Sequence, residues 1–283
     1  MDIKLVASDL DGTIIDRNNY IAPENIEAIK KIHDNNLKFV ICTGKSYSVA
    51  KNFCDQLDED YGIFGNGTQV IDLKNKKELI RNTLSRRDLL YIATFAQRFG
   101  LHLHLYTYNE LITEELKYLD LRNFKLQTLA GAADLEFRIV DDICDYVNKY
   151  NPEVFSAVIS KESTLKEFFN FFNINDDITY TYINKKGMYK DNIIDKEYEY
   201  LNISPTHINK DEGLTFLSEY LNIPKESMLT VGDNINDLEM IQNAGIGVAV
   251  VDATDDVKRI ATYVTTKKVN EGAFAEAINK FIK

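Results

Sequence analysis

Four aspartates carry the chemistry that can be read directly from this sequence. Asp9 and Asp11 stand two apart in Asp9-Leu10-Asp11-Gly12-Thr13, right after the apolar run Ile3 to Ser8. Asp233 and Asp237 stand four apart in Gly232-Asp233-Asn234-Ile235-Asn236-Asp237, right after the apolar run Met228 to Val231. Each group therefore follows a buried strand and opens a loop. Four carboxylates converging at one sheet edge would repel one another, and a divalent cation relieves that repulsion. Magnesium is the match, because every donor is a hard oxygen and neither His nor Cys joins the set. Thr43 adds a hydroxyl at the end of the run Leu37 to Cys42, and Lys210 adds a cation in Asn209-Lys210-Asp211-Glu212-Gly213. A metal, a lysine, a hydroxyl and loop amides are what a phosphoryl group in transfer requires.

Those residues need a scaffold that brings strand ends together. Ile3–Ser8, Leu37–Cys42 and Tyr61–Phe64 read as buried strands, with helices at Pro23–Ile32 and around Val49–Leu57 between them. Each strand runs into a polar loop, the third into Gly65-Asn66-Gly67. This alternation predicts an α/β fold, a doubly wound, mostly parallel Rossmann-like sheet with ligands at the carboxyl ends of its strands. Val70 to Ile80 reads as a hairpin. The rhythm then changes. Ser85 to Phe99 is an expected helix, opened by a capping-box-like Ser85-Arg86-Arg87-Asp88 and closed by Gly100. Leu101 to Tyr108 alternates apolar and polar residues, the mark of a half-exposed antiparallel strand. Further strands are expected at Val154–Ser160, Ile178–Ile183 and Tyr198–Ile203, and a Phe-rich helix near Leu165–Phe172. Doubly wound rhythm resumes with a helix at Glu212–Leu221, strands at Met228–Val231 and Ile246–Val250, and helices at Leu238–Asn243, Asp255–Ala261 and from Gly272. Residues 1–84 and 204–283 are thus expected to build one core domain, and 85–203 an inserted α+β domain.

Composition narrows the function classes. At 283 residues the chain is long for one domain and suits two. A net charge of -11 opposes sequence-independent nucleic-acid binding, so a small anion would need a local cation. The early apolar run is too short and too soon cut by charge for a signal peptide or membrane span. Cys42, Cys54 and Cys144 form no CxxC pair, which disfavours disulfides and zinc and points to a reducing cytoplasm. No nucleic-acid or membrane partner is expected, and the sequence leaves monomer and dimer open.

The motifs resemble a known family. Asp9-Leu10-Asp11-Gly12-Thr13-Ile14, Val40-Ile41-Cys42-Thr43-Gly44, Lys210 and Gly232-Asp233-Asn234-Ile235-Asn236-Asp237 are similar, in order, to the four motifs of the haloacid dehalogenase (HAD) superfamily. The insertion between the second and third resembles the C2B cap of the Cof-type phosphatases. The resemblance implies a magnesium-dependent phosphatase of small phosphorylated metabolites, with sugar phosphates first among them. It implies Asp9 as the nucleophile forming an aspartyl-phosphate. Asp11 would protonate the leaving oxygen and later deprotonate the attacking water. Asp9, the backbone carbonyl of Asp11, and Asp233 would hold Mg2+, with Asp237 in support. Thr43, in its Thr43-Gly44 turn, and Lys210 would anchor phosphoryl oxygens. Asn236 would orient the loop or ligand, and Gly12 would offer its backbone N–H to the phosphate. A phosphomutase on the same scaffold, or a non-catalytic magnesium or phosphate binder, are the alternatives.

Some positions depart from the family pattern. Lys45 stands where Arg is commoner and cannot make its bidentate contact. Asp211, Asn202 and Asp252 replace the usual Gly, Glu and Asn. His102 and His104 share an expected polar, half-exposed strand face with Tyr106 and Tyr108. An HxH pair can bind metal, but no third ligand is evident; a specificity surface is the further option the cap resemblance adds. His207 precedes Lys210 by three residues and could touch substrate or serve a hinge. Cys42 is expected to be packing.

Overall fold

The computed structural model of the chain describes residues 2–16, 18–115, 136–161, 165, 177–186 and 197–283. It divides into two compact units, Met1–Arg81 with Ile208–Lys283, and Asn82–His207. Before the insertion the first unit contributes β1 (Leu5–Ser8), β2 (Lys38–Cys42), β3 (Tyr61–Phe64), β4 (Gln69–Asp72) and β5 (Lys77–Arg81). The second unit contributes β6 (His102–Thr107), β7 (Glu110–Thr113), β8 (Glu136–Ile139), β9 (Val154–Lys161), β10 (Ile178–Lys186) and β11 (Glu197–Pro205). The chain then returns to the first unit with β12 (Met228–Gly232), β13 (Ile246–Ala249) and β14 (Tyr263–Val264).

The first unit is an α/β layer structure. Its sheet has the order β14-β13-β12-β1-β2-β3-β4-β5, parallel from β14 to β3 and antiparallel across the β3-β4-β5 meander. β1 lies in the middle, with Ser8 opposite Val231 on one side and Ile41 on the other. All four of its residues are fully buried, which explains its continuous apolar reading, since a central parallel strand is covered on both faces. Helix Pro23–Asp34 starts with proline at its first turn, where no intrahelical N–H bond is lost. Its buried Asn25 donates from Nδ2 to the Ile14 carbonyl at 3.1 Å and accepts at Oδ1 from the Ala275 amide at 3.1 Å. One polar side chain thereby ties this helix to the loop after β1 and to the helix Ala273–Phe281.

Helix Lys210–Leu221 follows an N-cap asparagine: Asn209 Oδ1 accepts from the Glu212 amide at 2.8 Å, and Asp211 and Glu212 stand in the first turn. Both features suit the positive end of a helix. Gly213 lets the helix lie close on β3, because a Cβ there would come within 2.7 Å of Ile63 Cγ2. Lys210 is thus delivered to the first helical position over the carboxyl end of the sheet.

The second unit is α+β. Its sheet order is β10-β11-β9-β6-β7-β8, antiparallel except for the β7–β8 pair. Helices Arg86–Phe99 and Ile143–Tyr150 share its core with Leu103, Leu105, Ala157 and Ile159. Ser85 caps the first of these helices and Gly100 ends it in a left-handed turn, φ 61°. The expected half-exposed face of β6 differs in detail. His104 is buried, and burial followed by its neighbour His102 pushes its pKa down to about 4. Tyr108 lies beyond the strand, stacks on Phe155 at 5.1 Å and donates to the Asn82 carbonyl at 3.0 Å. The helix expected near Leu165–Phe172 lies outside the described residues, apart from Leu165. β7, β8 and helix Ile143–Tyr150 fall in a stretch for which the sequence reading assigns no element.

Candidate active site

The polar residues singled out in the sequence gather at the carboxyl edge of the first unit's sheet. β1 and β12 are adjacent and in register, so the residues that leave them, Asp9 and Asp233, emerge side by side. Asp9 is buried, and its amide donates to the Val231 carbonyl at 2.9 Å. Donor oxygens of Asp9, Asp233 and Asp237 all lie within 4.8 Å of one another. Thr13 Oγ1 donates to Asp233 Oδ1 at 3.4 Å.

Lys210 is the internal counter-charge. Its ammonium is fully buried and donates to Asp9 Oδ1 at 2.6 Å and to Asp237 Oδ1 at 2.6 Å. Burial alone would lower its pKa, but Asp237 and Asp9 outweigh that and hold the lysine charged well above its ordinary value. Asp237 is also fully buried. Its second oxygen, Oδ2, accepts from the amides of Asp233 at 2.9 Å and Asn234 at 3.0 Å. So Asp237 staples its own loop and grips the lysine at the same time.

One lysine does not balance three carboxylates. Burial pushes Asp9 well above the usual carboxylate range; Lys210 opposes this, while Asp237 and Asp233 add to it. Burial, then Asp237, likewise raises Asp233 to about 6. The trio therefore carries a demand for more positive charge, and its donors are all carboxylate oxygens. This donor set fits a hard divalent cation. Among the described residues, no third donor joins His102 and His104 in such a group.

Gly12 fits closely into this arrangement. Its φ is 82°, a left-handed conformation, and a Cβ on it would lie 2.6 Å from Asp233 Oδ2. The Asp11 carboxylate stands apart from the trio. It is about half exposed and accepts a hydrogen bond from Lys45 Nζ.

Thr43 is fully buried at the end of β2. Its amide donates to the Ile63 carbonyl at 2.8 Å, and its Oγ1 accepts from the Lys45 amide at 3.2 Å. From the sequence, Asn66 reads only as part of the polar loop Gly65-Asn66-Gly67. It adopts a left-handed φ of 54°, donates its amide to the Thr43 carbonyl at 3.0 Å and accepts at Oδ1 from Asn236 Nδ2 at 3.0 Å. It lies against Gly44, where a Cβ would come within 3.2 Å of Asn66 Oδ1. Asn66 thus joins the loop after β2 to the loop after β12. The signal for it was the flanking pair Gly65 and Gly67, which marks a tight turn without saying what the middle side chain reaches. His207 ends the second unit with a left-handed φ of 55°.

An acidic trio suited to a hard divalent cation, beside a buried lysine, offers the kind of positive charge that a phosphoryl group in transfer needs. The model of the haloacid dehalogenase-like hydrolases matches residues 6–278, and the chain belongs to that family. The chain is 29% identical over 291 residues to the 5-amino-6-(5-phospho-D-ribitylamino)uracil phosphatase YcsE of Bacillus subtilis, covering 100% of this chain and 97% of that protein. A haloacid dehalogenase-like hydrolase from Bacteroides thetaiotaomicron superposes with a TM-score of 0.77 at 24% identity, over 99% of both chains. The HAD subclass IIB sugar phosphatase BT4131 superposes with a TM-score of 0.75 at 19% identity, over 98% of both. The protein is therefore an enzyme of the phosphoric monoester hydrolase class, on an α/β fold with an inserted domain. Among the described residues no helix is long and apolar enough to cross a membrane.

Proposed function

We propose that the protein is a magnesium-dependent phosphatase of small phosphorylated metabolites that works through an aspartyl-phosphate on Asp9. The observation that carries this reading is the grouping of Asp9, Asp233 and Asp237 donors within 4.8 Å, with Lys210 buried against two of them. Asp9 and Asp233, with the backbone carbonyl of Asp11, would hold Mg2+, which when bound supplies positive charge to the phosphoryl oxygens. Asp237 supports them by fixing the loop and Lys210.

An Asp9 carboxylate oxygen attacks phosphorus, and the bond from phosphorus to the substrate oxygen breaks. Asp11 gives its proton to that oxygen, so the alcohol leaves neutral. Asp11, now a carboxylate, takes a proton from water as the water oxygen attacks the phosphorus of the aspartyl-phosphate. The bond to Asp9 breaks and inorganic phosphate leaves. Lys210 and the Thr43 hydroxyl steady the phosphoryl oxygens, Gly12 offers its amide, and the Thr43-Gly44 turn and Asn236 shape the pocket wall. Residues 85–203 are read as a C2B-type cap that selects the substrate. Location in the cytoplasm accords with this chemistry and with three free cysteines.

Phosphorylated sugars and sugar alcohols head the substrate list. The ribityl phosphate named for the Bacillus subtilis relative is the first compound to assay. Turnover of a monoester panel is measured for wild type with magnesium, wild type with chelator, and Asp9→Asn. Activity confined to the first sample is expected, with a hydroxylamine-labile phosphoryl adduct on wild type alone. Equal activity in all three samples would remove Asp9 and the metal from the mechanism.

A further inference from the structure

We propose that Lys45 is a positioning residue that holds the Asp11 carboxylate in place for proton transfer to the leaving oxygen. The inference rests on the reading of Asp11 as the general acid. It starts from a pairing across two loops: Lys45 Nζ donates to Asp11 Oδ2. Among the described residues, Lys45 is the cation paired with Asp11.

The backbone around both partners is fixed. Lys45 donates its amide to Thr43 Oγ1 at 3.2 Å, and its carbonyl accepts from the Gly65 amide at 2.8 Å. Asp11 forms a backbone bridge with Ile15, and the next amide, Gly12, donates to the Ile15 carbonyl at 2.8 Å. Two anchored backbones thus bring a flexible ammonium and a flexible carboxylate together. The Asp11 side chain is 48% exposed and the Lys45 side chain 25%. Pairs this open to water contribute little to stability, so the fold does not require this one. Its effect is on geometry. A half-exposed carboxylate samples several rotamers, and an acid must meet its acceptor within hydrogen-bond reach. Lys45 restricts that sampling. Since the same residue bonds Thr43 Oγ1 through its amide, the acid is held in register with the phosphoryl-anchoring hydroxyl.

This also gives meaning to a departure from the family pattern. A lysine makes a single-point contact where an arginine would make a fork. A single point suffices to hold one oxygen of Asp11, and an arginine at this position can hold the same oxygen.

The test compares two substrates. An aryl phosphate expels a phenolate that needs little protonation, whereas a primary alkyl phosphate expels an alkoxide that needs a proton. Lys45→Met, Lys45→Arg and Asp11→Asn are assayed on both with magnesium present, as single-turnover release of the alcohol or phenol, because the later attack of water needs Asp11 as base whichever ester was cleaved. Lys45→Met is expected to lower the release rate from the alkyl ester by about 10–100-fold, the scale of a misplaced catalytic group. On the aryl ester it should change the release rate by less than about threefold, since the acid contributes little there. The half-saturating concentration should hold on both esters, and Lys45→Arg should restore most of the alkyl-ester rate. Asp11→Asn should show the same split between esters, more deeply. If Asp11→Asn splits the esters and Lys45→Met does not, the positioning role is wrong and the general acid stands. A rise in the half-saturating concentration with the release rate unchanged would make Lys45 a substrate-binding residue instead. If Lys45→Arg is as impaired as Lys45→Met, retention of the cation is not what matters and the proposal fails. If Asp11→Asn shows no split, the general-acid reading falls and the inference with it.

Discussion

Lys210 and Asp9, 201 residues apart in sequence, meet through a 2.6 Å hydrogen bond in which the lysine side chain has no exposed surface. The bond joins the first strand to a helix that begins after the whole insertion. Charges taken this far out of water persist only where paired, and here the lysine is shared with Asp237.

Replacing that lysine by an apolar side chain of similar length leaves two buried carboxylates without their cation. Lys210→Met is expected to destabilise the protein by about 3–5 kcal/mol, the usual cost of breaking a buried pair. It should also lower turnover by at least about 100-fold, the scale of losing one preorganised phosphoryl contact. Urea denaturation and steady-state kinetics measure the two effects separately. A stable variant with full activity would refute both.

Gly12→Ala tests the close fit beside Asp233. The added Cβ would meet Asp233 Oδ2 at 2.6 Å, on a residue whose φ is 82°. The left-handed backbone costs roughly 1–2 kcal/mol for a residue with a Cβ. The carboxylate must also turn away. Weaker magnesium binding is expected by calorimetric titration, together with a lower Tm. Unchanged affinity would mean that Asp233 tolerates displacement.

Glu59 makes stability depend on pH far from the catalytic edge. It follows helix Tyr47–Leu57, and both its carboxylate oxygens are buried beside the Cys54 thiol. Burial, only partly offset by the Cys54 thiol, raises its pKa from the ordinary 4.5 to about 7. As pH rises, the unfolded chain loses this proton first, and the folded chain loses it only near 7. Between those values the folded state binds more protons, so stability falls with rising pH, by a total on the order of 3 kcal/mol. Glu59→Gln, which stays neutral, should exceed wild type in urea midpoint at pH 8 and match it near pH 4. A constant difference across pH would place the Glu59 effect elsewhere.

Asp211 stands where the family pattern has Gly, and it has taken on a bracing role. It accepts from Lys225 Nζ at 2.7 Å and from Asn243 Nδ2 at 2.7 Å. Asp211→Ala leaves both donors without this partner and should cost about 1–3 kcal/mol. Because the residue is next to Lys210, kcat should fall modestly while thermal unfolding shifts clearly. An unaltered Tm would show that water replaces the carboxylate at no cost.

The parts of the core that the sequence disclosed are those with strong local signals. β1, β2 and β12 are apolar runs cut off by Asp or Gly, as buried parallel strands must be. The hairpin of β4 and β5 was visible from the lysine-rich turn between two apolar stretches. The helix Ile143–Tyr150 was missed although its start is marked: Asp142 caps it through the Asp145 amide. β7 and β8 were missed because neither has the continuous apolar run of the equally short β1, and the side chains of β8 are largely exposed. His104 alternates like a surface residue yet is buried, because alternation gives the faces of a strand and not what covers them. At the candidate site, residue types at strand ends picked out Asp9, Thr43 and Asp233, and the family motifs picked out Lys210 at the start of its helix. Nothing local could pair Lys45 with Asp11, 34 residues away, or Asn66 with Asn236, 170 residues away. Those contacts follow from loop paths, which only the folded chain specifies.

The adjacency of β1 and β12 also has a consequence for biosynthesis. Thr13 and its partner Asp233 are 220 residues apart, so one wall of the site is translated long before the other. At about 5–20 residues per second, the ribosome takes on the order of 10–40 s to supply β12 after β1 has emerged. Throughout that interval β1 has one unpaired apolar edge, the kind that invites wrong partners. The nascent chain is thus most vulnerable in the very strand that will carry Asp9, and it becomes both safe and active only once β12 has emerged to pair with it.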